Sequence, residues 1–468
     1  MAEIHTRLLT EKLIKPSTPT PANLNRITLS LLDHLSPSTY INIIFYYNPI
    51  INHPTPPHDH QTRLHLQKSL SDALTAFYPL AGRYDRDDGS IKCDDQGVGY
   101  AEVEVEGCRM VDFLDDLHCQ NLNRLLPHLD GGGDSGNSST PLVVIQVNLF
   151  KCGGAAIGVC VWHKIADTHT TIQFINAWAA KAASDLQIAG DDDGDCKVEL
   201  QRLTFNGGSF FPLKNFPVEM PPLGHDMKVV TRRFVLNGRK VSSLRTEFKE
   251  YYSKVNGGAS VRTLPSRVTL VTAVFWKALI GTAAASRHTR LRPSLLSPAM
   301  NLRGRTSSFP AISNDSYGNF WTPFVAHFNP KNSNEDDRAT LSWQDLVGPI
   351  TDAMQTMLDL VQHGSGDEIS RAAIKAFQEV QETMAGGGHG EEEEVDAFIC
   401  SSWCRFPLYE ADFRWGKPAC VSSDNRFEMF ILMDSSDGDE GIDVWVYMDQ
   451  PKMQLLEQDP HIIAFTST

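Results

Sequence analysis

His163 and Asp167 are the residues whose types and spacing most invite chemistry. An imidazole is the side chain best suited to taking up a proton near neutral pH, and a carboxylate four residues on can lock the turn that aims it. The flanking sequence says where such a turn would sit. Residues 155–162 (AAIGVCVW) follow Gly153 and Gly154, are apolar and rich in β-branched types, and read as a buried strand. Residues 170–183 (TTIQFINAWAAKAA) put Ile172, Ile175, Trp178 and Ala179 on one helical face, with Asp167, Thr168 or Thr170 as N-cap. The histidine is thus expected at a strand-to-helix junction, where it can point into a cleft as a general base. The same spacing also suits a hydrogen-bonded structural histidine. Support therefore has to come from elsewhere in the chain.

Other chemistries are less well served. Gly131, Gly133 and Gly136 match the dinucleotide-binding glycine pattern, but the strand-like PLVVIQV follows them where a helix is required. His58, His60 and His65 fall in or beside a Pro-rich stretch and read as solvated histidines. His163, Asp167 and His169 lack the glutamate of a zinc-binding helix, and the strand–helix break would scatter them, so no metal is expected. No Gly-x-Ser-x-Gly elbow occurs, and Cys160 lies in an apolar strand as a core thiol rather than a nucleophile.

The chain has 468 residues, enough for two domains, and a formal charge of −15, which argues against nucleic acid or an anionic membrane as partner. Nine scattered cysteines without a Cys-x-x-Cys pair suit reduced thiols. The first residues carry mixed charge without an apolar core, and the last three are not a peroxisomal signal; a cytoplasmic enzyme is expected.

Strands are expected at 41–47, 100–105, 142–149, 229–235, 427–433 and 443–448, and helices at 64–77, 240–251, 268–285 and 343–362. Residues 131–140, 189–195 and 386–394 read as loops. Between them, 191–225 is rich in Pro and Gly and lacks periodicity, as a long crossover would. The expected division is an N-terminal domain over 1–190, the crossover over 191–225 and a C-terminal domain over 226–468. Both halves mix helices with strands, which suggests α/β layered domains facing a shared cleft.

Two distant segments raise the standing of His163: Asp412-Phe413-Arg414-Trp415-Gly416 and the FYPLAGR of 77–83. With them the chain resembles the plant BAHD acyltransferases. HKIAD (163–167) matches the family's His-x-x-x-Asp and DFRWG (412–416) its Asp-Phe-Gly-Trp-Gly. PSRVTLVTAVFWKA (265–278), MNLRGR (300–305) and YGNFW (317–321) fall in family order, and 27–49 resembles the N-terminal signature of the vinorine-synthase-like branch, acetyltransferases of alkaloids, terpenoids and alcohols.

The resemblance implies two similar chloramphenicol-acetyltransferase-like α/β domains with mixed sheets, joined by a long crossover, with an active-site channel at their interface. It implies a monomer that transfers an acyl group, most simply acetyl, from acyl-CoA to a hydroxyl of a specialised metabolite such as an alkaloid or terpenoid. An acyl-sugar, benzoyl or hydroxycinnamoyl transferase, or an inactive ligand-binding relative, are the alternatives. His163 would be the general base, and Asp167 would orient the motif loop. Ser401 and Trp403 would donate to the oxyanion, Asp412, Trp415 and Gly416 would be structural, and Ser266, Arg267 and Arg303 would hold coenzyme A. Acyl-CoA serves as co-substrate, with no bound cofactor and no covalent acyl-enzyme expected. One departure stands out: Arg414 replaces the motif's first glycine. If that glycine serves a positive φ, arginine strains the turn; if it serves close packing, the side chain must leave for solvent.

Overall fold

The computed structural model describes residues 4–49, 56–115, 122–128, 139–185, 203–213, 228–260, 263–307, 312–330, 341–385 and 394–466. The described strands, in chain order, are β1 His5–Ile14, β2 Arg26–Thr28, β3 Tyr40–Tyr47, β4 Arg83–Asp85, β5 Ser90–Lys92, β6 Val98–Glu106, β7 Val143–Phe150 and β8 Ala155–Trp162. They continue as β9 Val229–Leu236, β10 Ser294–Asn301, β11 Trp321–Pro323, β12 Ala326–Phe328, β13 Asp396–Ser402, β14 Cys420–Asp424, β15 Met429–Asp434 and β16 Ile442–Asp449. The helices used below are α1 Leu31–Leu35, α2 His60–Ala76, α3 Met110–Asp115, α4 Thr168–Asp185, α5 Gly207–Phe210, α6 Gly238–Val255 and α7 Arg267–Ser286.

The chain forms two compact units. The first comprises Met1–Met220 together with Ser313–Phe320 and Phe406–Asp424, and the second holds the remaining segments. A linear division at the crossover is therefore crossed by two returning segments, one of which carries DFRWG. Of the expected crossover, 203–213 is described and contains the short α5; the rest of 191–225 lies outside the described residues, as do the glycine runs at 131–133 and 386–388.

In the first unit a mixed sheet runs β1-β6-β7-β8-β3-β14. Only β6 and β7 run parallel among its pairs. β8 lies between β7 and β3, and all eight of its residues are buried. A strand covered on both faces needs no polar alternation, which is why 155–162 reads as an unbroken apolar run. A Cβ on Gly158 would meet Leu125 O at 2.2 Å, so only glycine lets the chain pass so close.

In the second unit the order is β11-β10-β13-β15-β16-β9, with β12 also paired to β10. β10, β13 and β15 run parallel. α7 is the hub of this core: Leu270, Val274, Phe275, Leu279 and others are buried among Phe234, Val241, Leu296, Phe430, Leu432 and Val446. That burial explains why its apolar residues encircle the helix instead of lining one face.

The expected helices and strands are present with shifts of a few residues at their ends. The helix expected at 343–362 begins as a single 3-10 turn, Trp343–Leu346, before Val347–His363. The sequence reading missed β1, β10, β13, β14 and a helix over Gly366–Met384. That helix opens with a Ser365/Glu368 capping box, a readable signal. β1 is mostly exposed at a sheet edge and carries mixed charge, so hydrophobic periodicity has little to register.

Candidate active site

His163 follows β8 directly, and its backbone N–H donates to Thr39 O at 2.9 Å beside the start of β3. Four residues later Asp167 caps α4: its Oδ1 accepts the Thr170 N–H at 2.9 Å. Of the three N-cap candidates, Asp167 is the one used. Its Oδ2 accepts the Phe320 N–H at 3.0 Å. Both oxygens thus hold backbone, one on the helix and one on a segment more than 150 residues away.

That segment, 318–320, clasps the motif from the other side. Gly318 O accepts from Thr170 Oγ1 at 3.1 Å and from the Asp167 N–H at 3.4 Å. Gly318 has φ +115°, a backbone conformation that strains any side chain and so favours glycine. Asn319 is 1% exposed. Its Oδ1 lies 3.1 Å from His163 Nδ1, and its Nδ2 donates to His163 O at 2.8 Å and to Asp33 Oδ1 at 2.9 Å. Lys164 adds a third tie, donating from Nζ to His34 O and Ser36 O at 2.8 Å each, at the carbonyl end of α1. Its buried ammonium has its pKa lowered to about 8 by desolvation.

Burial likewise pushes the His163 imidazole below its ordinary value; a hydrogen bond of the ring with its own backbone, the nearby Asp167 charge and Asn319 act against this, and Lys164 adds to it. The net effect favours the neutral ring, the form that can accept a proton. Asp33, Asn319 and Lys164 escaped the sequence reading as site residues. YGNFW was noted only as a segment, and nothing local couples positions 33, 163 and 319.

DFRWG braces the same helix. Trp178 of α4 meets the Phe413 ring edge-on at 4.7 Å, and Tyr47 of β3 meets Phe413 and Trp415 at 5.9 and 5.5 Å. Tyr47 also donates from its hydroxyl to Ala411 O at 2.7 Å, and Asn176 of α4 donates to Pro407 O at 2.9 Å. Asp412 Oδ1 accepts the Gly416 N–H at 3.0 Å, closing the motif's own turn. Arg414 has φ +66° and Gly416 φ +83°, so the arginine occupies the left-handed region where a side chain is strained.

The other singled-out residues belong to the second unit. Ser401 lies on β13, and Trp403 follows that strand's end with its backbone N–H donating to Leu432 O at 2.8 Å. Cys400 faces the α7 core, so by alternation Ser401 projects from the opposite face of the sheet. Ser266 caps α7, accepting the Thr269 N–H at 3.1 Å. The Arg267 guanidinium is engaged inside the protein: it donates to Glu440 O at 3.1 Å and Gly441 O at 2.9 Å and pairs with Asp434. Arg303 is 5% exposed, in the turn after β10, with Asn301 Oδ1 accepting its N–H at 3.1 Å. These two arginines serve local structure, whatever else they contact.

The family model described as "Transferase family" matches residues 4–462. The chain belongs to this family of BAHD acyltransferases. It is 33% identical over 465 residues to the acetyl-CoA-benzylalcohol acetyltransferase of Clarkia breweri, covering 98% of each chain. It is 31% identical over 478 residues to a limonoid 21-O-acetyltransferase of Melia azedarach, again at 98% of each. Among solved structures, that of vinorine synthase matches with a TM-score of 0.78 at 27% identity over 99% of both chains. The α/β fold with mixed sheets and the acyltransferase activity implied by the motifs are thereby established for this BAHD member.

Proposed function

We propose that this acyltransferase moves an acetyl group from acetyl-CoA to the hydroxyl of a small alcohol, alkaloid or terpenoid, with His163 as general base. The names of the benzylalcohol and limonoid relatives support the donor and the acceptor class. The observation that carries the reading is an imidazole half-buried at the end of β8 and braced by Asn319 through Nδ1, in a setting whose burial pushes its pKa down.

In the step proposed, the acceptor oxygen attacks the thioester carbonyl while its proton passes to the imidazole. The tetrahedral adduct then collapses, the carbon–sulfur bond breaks, and the imidazolium returns the proton to the departing thiolate. The products are the ester and free coenzyme A. No acyl group resides on the protein. A base held in place contributes about 10²–10⁴ in rate.

Thiol release from acetyl-CoA, measured with benzyl alcohol and a panel of terpenoid and alkaloid alcohols, tests this. Acceptor-dependent release that falls at least 100-fold in His163→Ala is expected. Equal rates for the two proteins would remove His163 as the base, and release only with aromatic acyl donors would remove the acetyl assignment.

A further inference from the structure

We infer that Asp33 and Asn319 act as positioning residues that hold His163 in the Nδ1–H tautomer, leaving Nε2 as the atom that accepts the acceptor's proton. The inference rests on His163 being the base but uses different observations.

The orientation of the Asn319 amide is settled by its partners. One is the carbonyl oxygen of His163, 2.8 Å away, and a carbonyl can only accept. The other is Asp33 Oδ1 at 2.9 Å, which also accepts the Asn319 backbone N–H at 2.8 Å. The group facing both must be the NH2. The remaining amide atom is therefore the oxygen, and it lies 3.1 Å from His163 Nδ1. An amide oxygen has no proton to give, so a neutral ring makes this contact only with its proton on Nδ1. Its lone pair is then on Nε2.

Asp33 keeps that amide from turning over. The other carboxylate oxygen accepts the Ser30 N–H and the Ser30 hydroxyl at 2.7 Å each. Four donors surround a carboxylate that is 5% exposed, so an inverted Asn319 would set its carbonyl against that carboxylate and its NH2 against Nδ1. Burial pushes the Asp33 carboxyl above its ordinary value, and these four bonds act against that rise. The residues whose charges act on the His163 ring are Asp167 and Lys164, and both are held by backbone partners on neighbouring elements.

The direct test is nitrogen NMR of histidine side chains in the full-length protein labelled with ¹⁵N-histidine, the His163 signals being those missing from His163→Ala. A neutral His163 with its proton on Nδ1 is expected. A proton on Nε2, or an even mixture, would overturn the inference even if His163 proved to be the base. Conversely, a locked Nδ1–H ring in a protein whose activity survives His163→Ala would leave the positioning intact and sink the proposed mechanism.

Two variants give a second readout. Asn319→Leu, which removes the acceptor, is expected to bring Nε2–H signal into the spectrum and lower kcat about 10–100-fold with KM changed little; an unchanged tautomer would refute the assignment. Asn319→Asp places a carboxyl beside Nδ1 and is expected to shift the acid limb of the kcat/KM profile upward by about a pH unit. A role confined to folding would lower activity without moving that limb.

Discussion

Replacing Arg414 by glycine should stabilise this protein, and it restores the residue that the family motif carries at this position. Arg414 has φ +66°. A non-glycine residue in that region costs about 1–2 kcal/mol, and glycine removes the cost. Glycine also loosens the unfolded chain, at about 0.5–1 kcal/mol relative to alanine. The difference is a net gain of about 0–1.5 kcal/mol for glycine over alanine, with a midpoint near 0.7. For a cooperative unit of about 200 residues that corresponds to a rise in Tm of about 2 °C.

Arg414→Ala is the control, since it removes the guanidinium and keeps the Cβ and therefore the strain. The comparison that matters is glycine against alanine, by differential scanning calorimetry at one scan rate. A lower Tm for glycine than for alanine would refute the claim that φ is what strains this turn. Activity should change less than threefold in Arg414→Gly, because the segment braces α4 through Phe413 and Pro407.

Two further outcomes are expected. Asp167→Asn keeps a capping oxygen for Thr170 but turns an NH2 toward the Phe320 N–H, leaving donors face to face. The cost is about 1–3 kcal/mol, read as a lower denaturation midpoint, while the acid limb of the pH–rate profile stays within about half a unit of wild type. His34 is held to a pKa of about 4 by burial and by the neighbouring Lys164 ammonium. The unfolded chain binds that proton near pH 6.5, so the folded state is fully favoured above pH 6.5 and loses ground as pH falls toward 4. Midpoints measured from pH 7 to pH 4 should decline less steeply in His34→Gln than in wild type; parallel slopes would dismiss His34 as a contributor.

The turn at His163 shows how unevenly the site was legible. β8 and α4 were readable because each is specified within one segment: an apolar run between turn residues, then a 3.6-residue period behind an N-cap. HKIAD and DFRWG were readable as motifs, and with them the family and the fold. Ser266 was readable as a helix start because capping is also local. The carboxylate of Asp167 could be assigned to the turn, yet its second partner, Phe320 N–H, could not.

Sequence alone therefore determined the elements, the family motifs and the residue type that can act as base. Tertiary structure decided which groups hold that base. Asn319 lies 156 residues from His163 and 286 from Asp33, and their three side chains meet only because sheet and loop bring distant segments together. Hydrogen bonds between such segments leave no periodicity in the chain. Arg414 makes the same point at one residue. Its sequence position admitted either a strained left-handed turn or tight packing, and the backbone, at φ +66°, takes the former. Dihedral angles are set by what the turn must connect, and the identity of one residue does not record that.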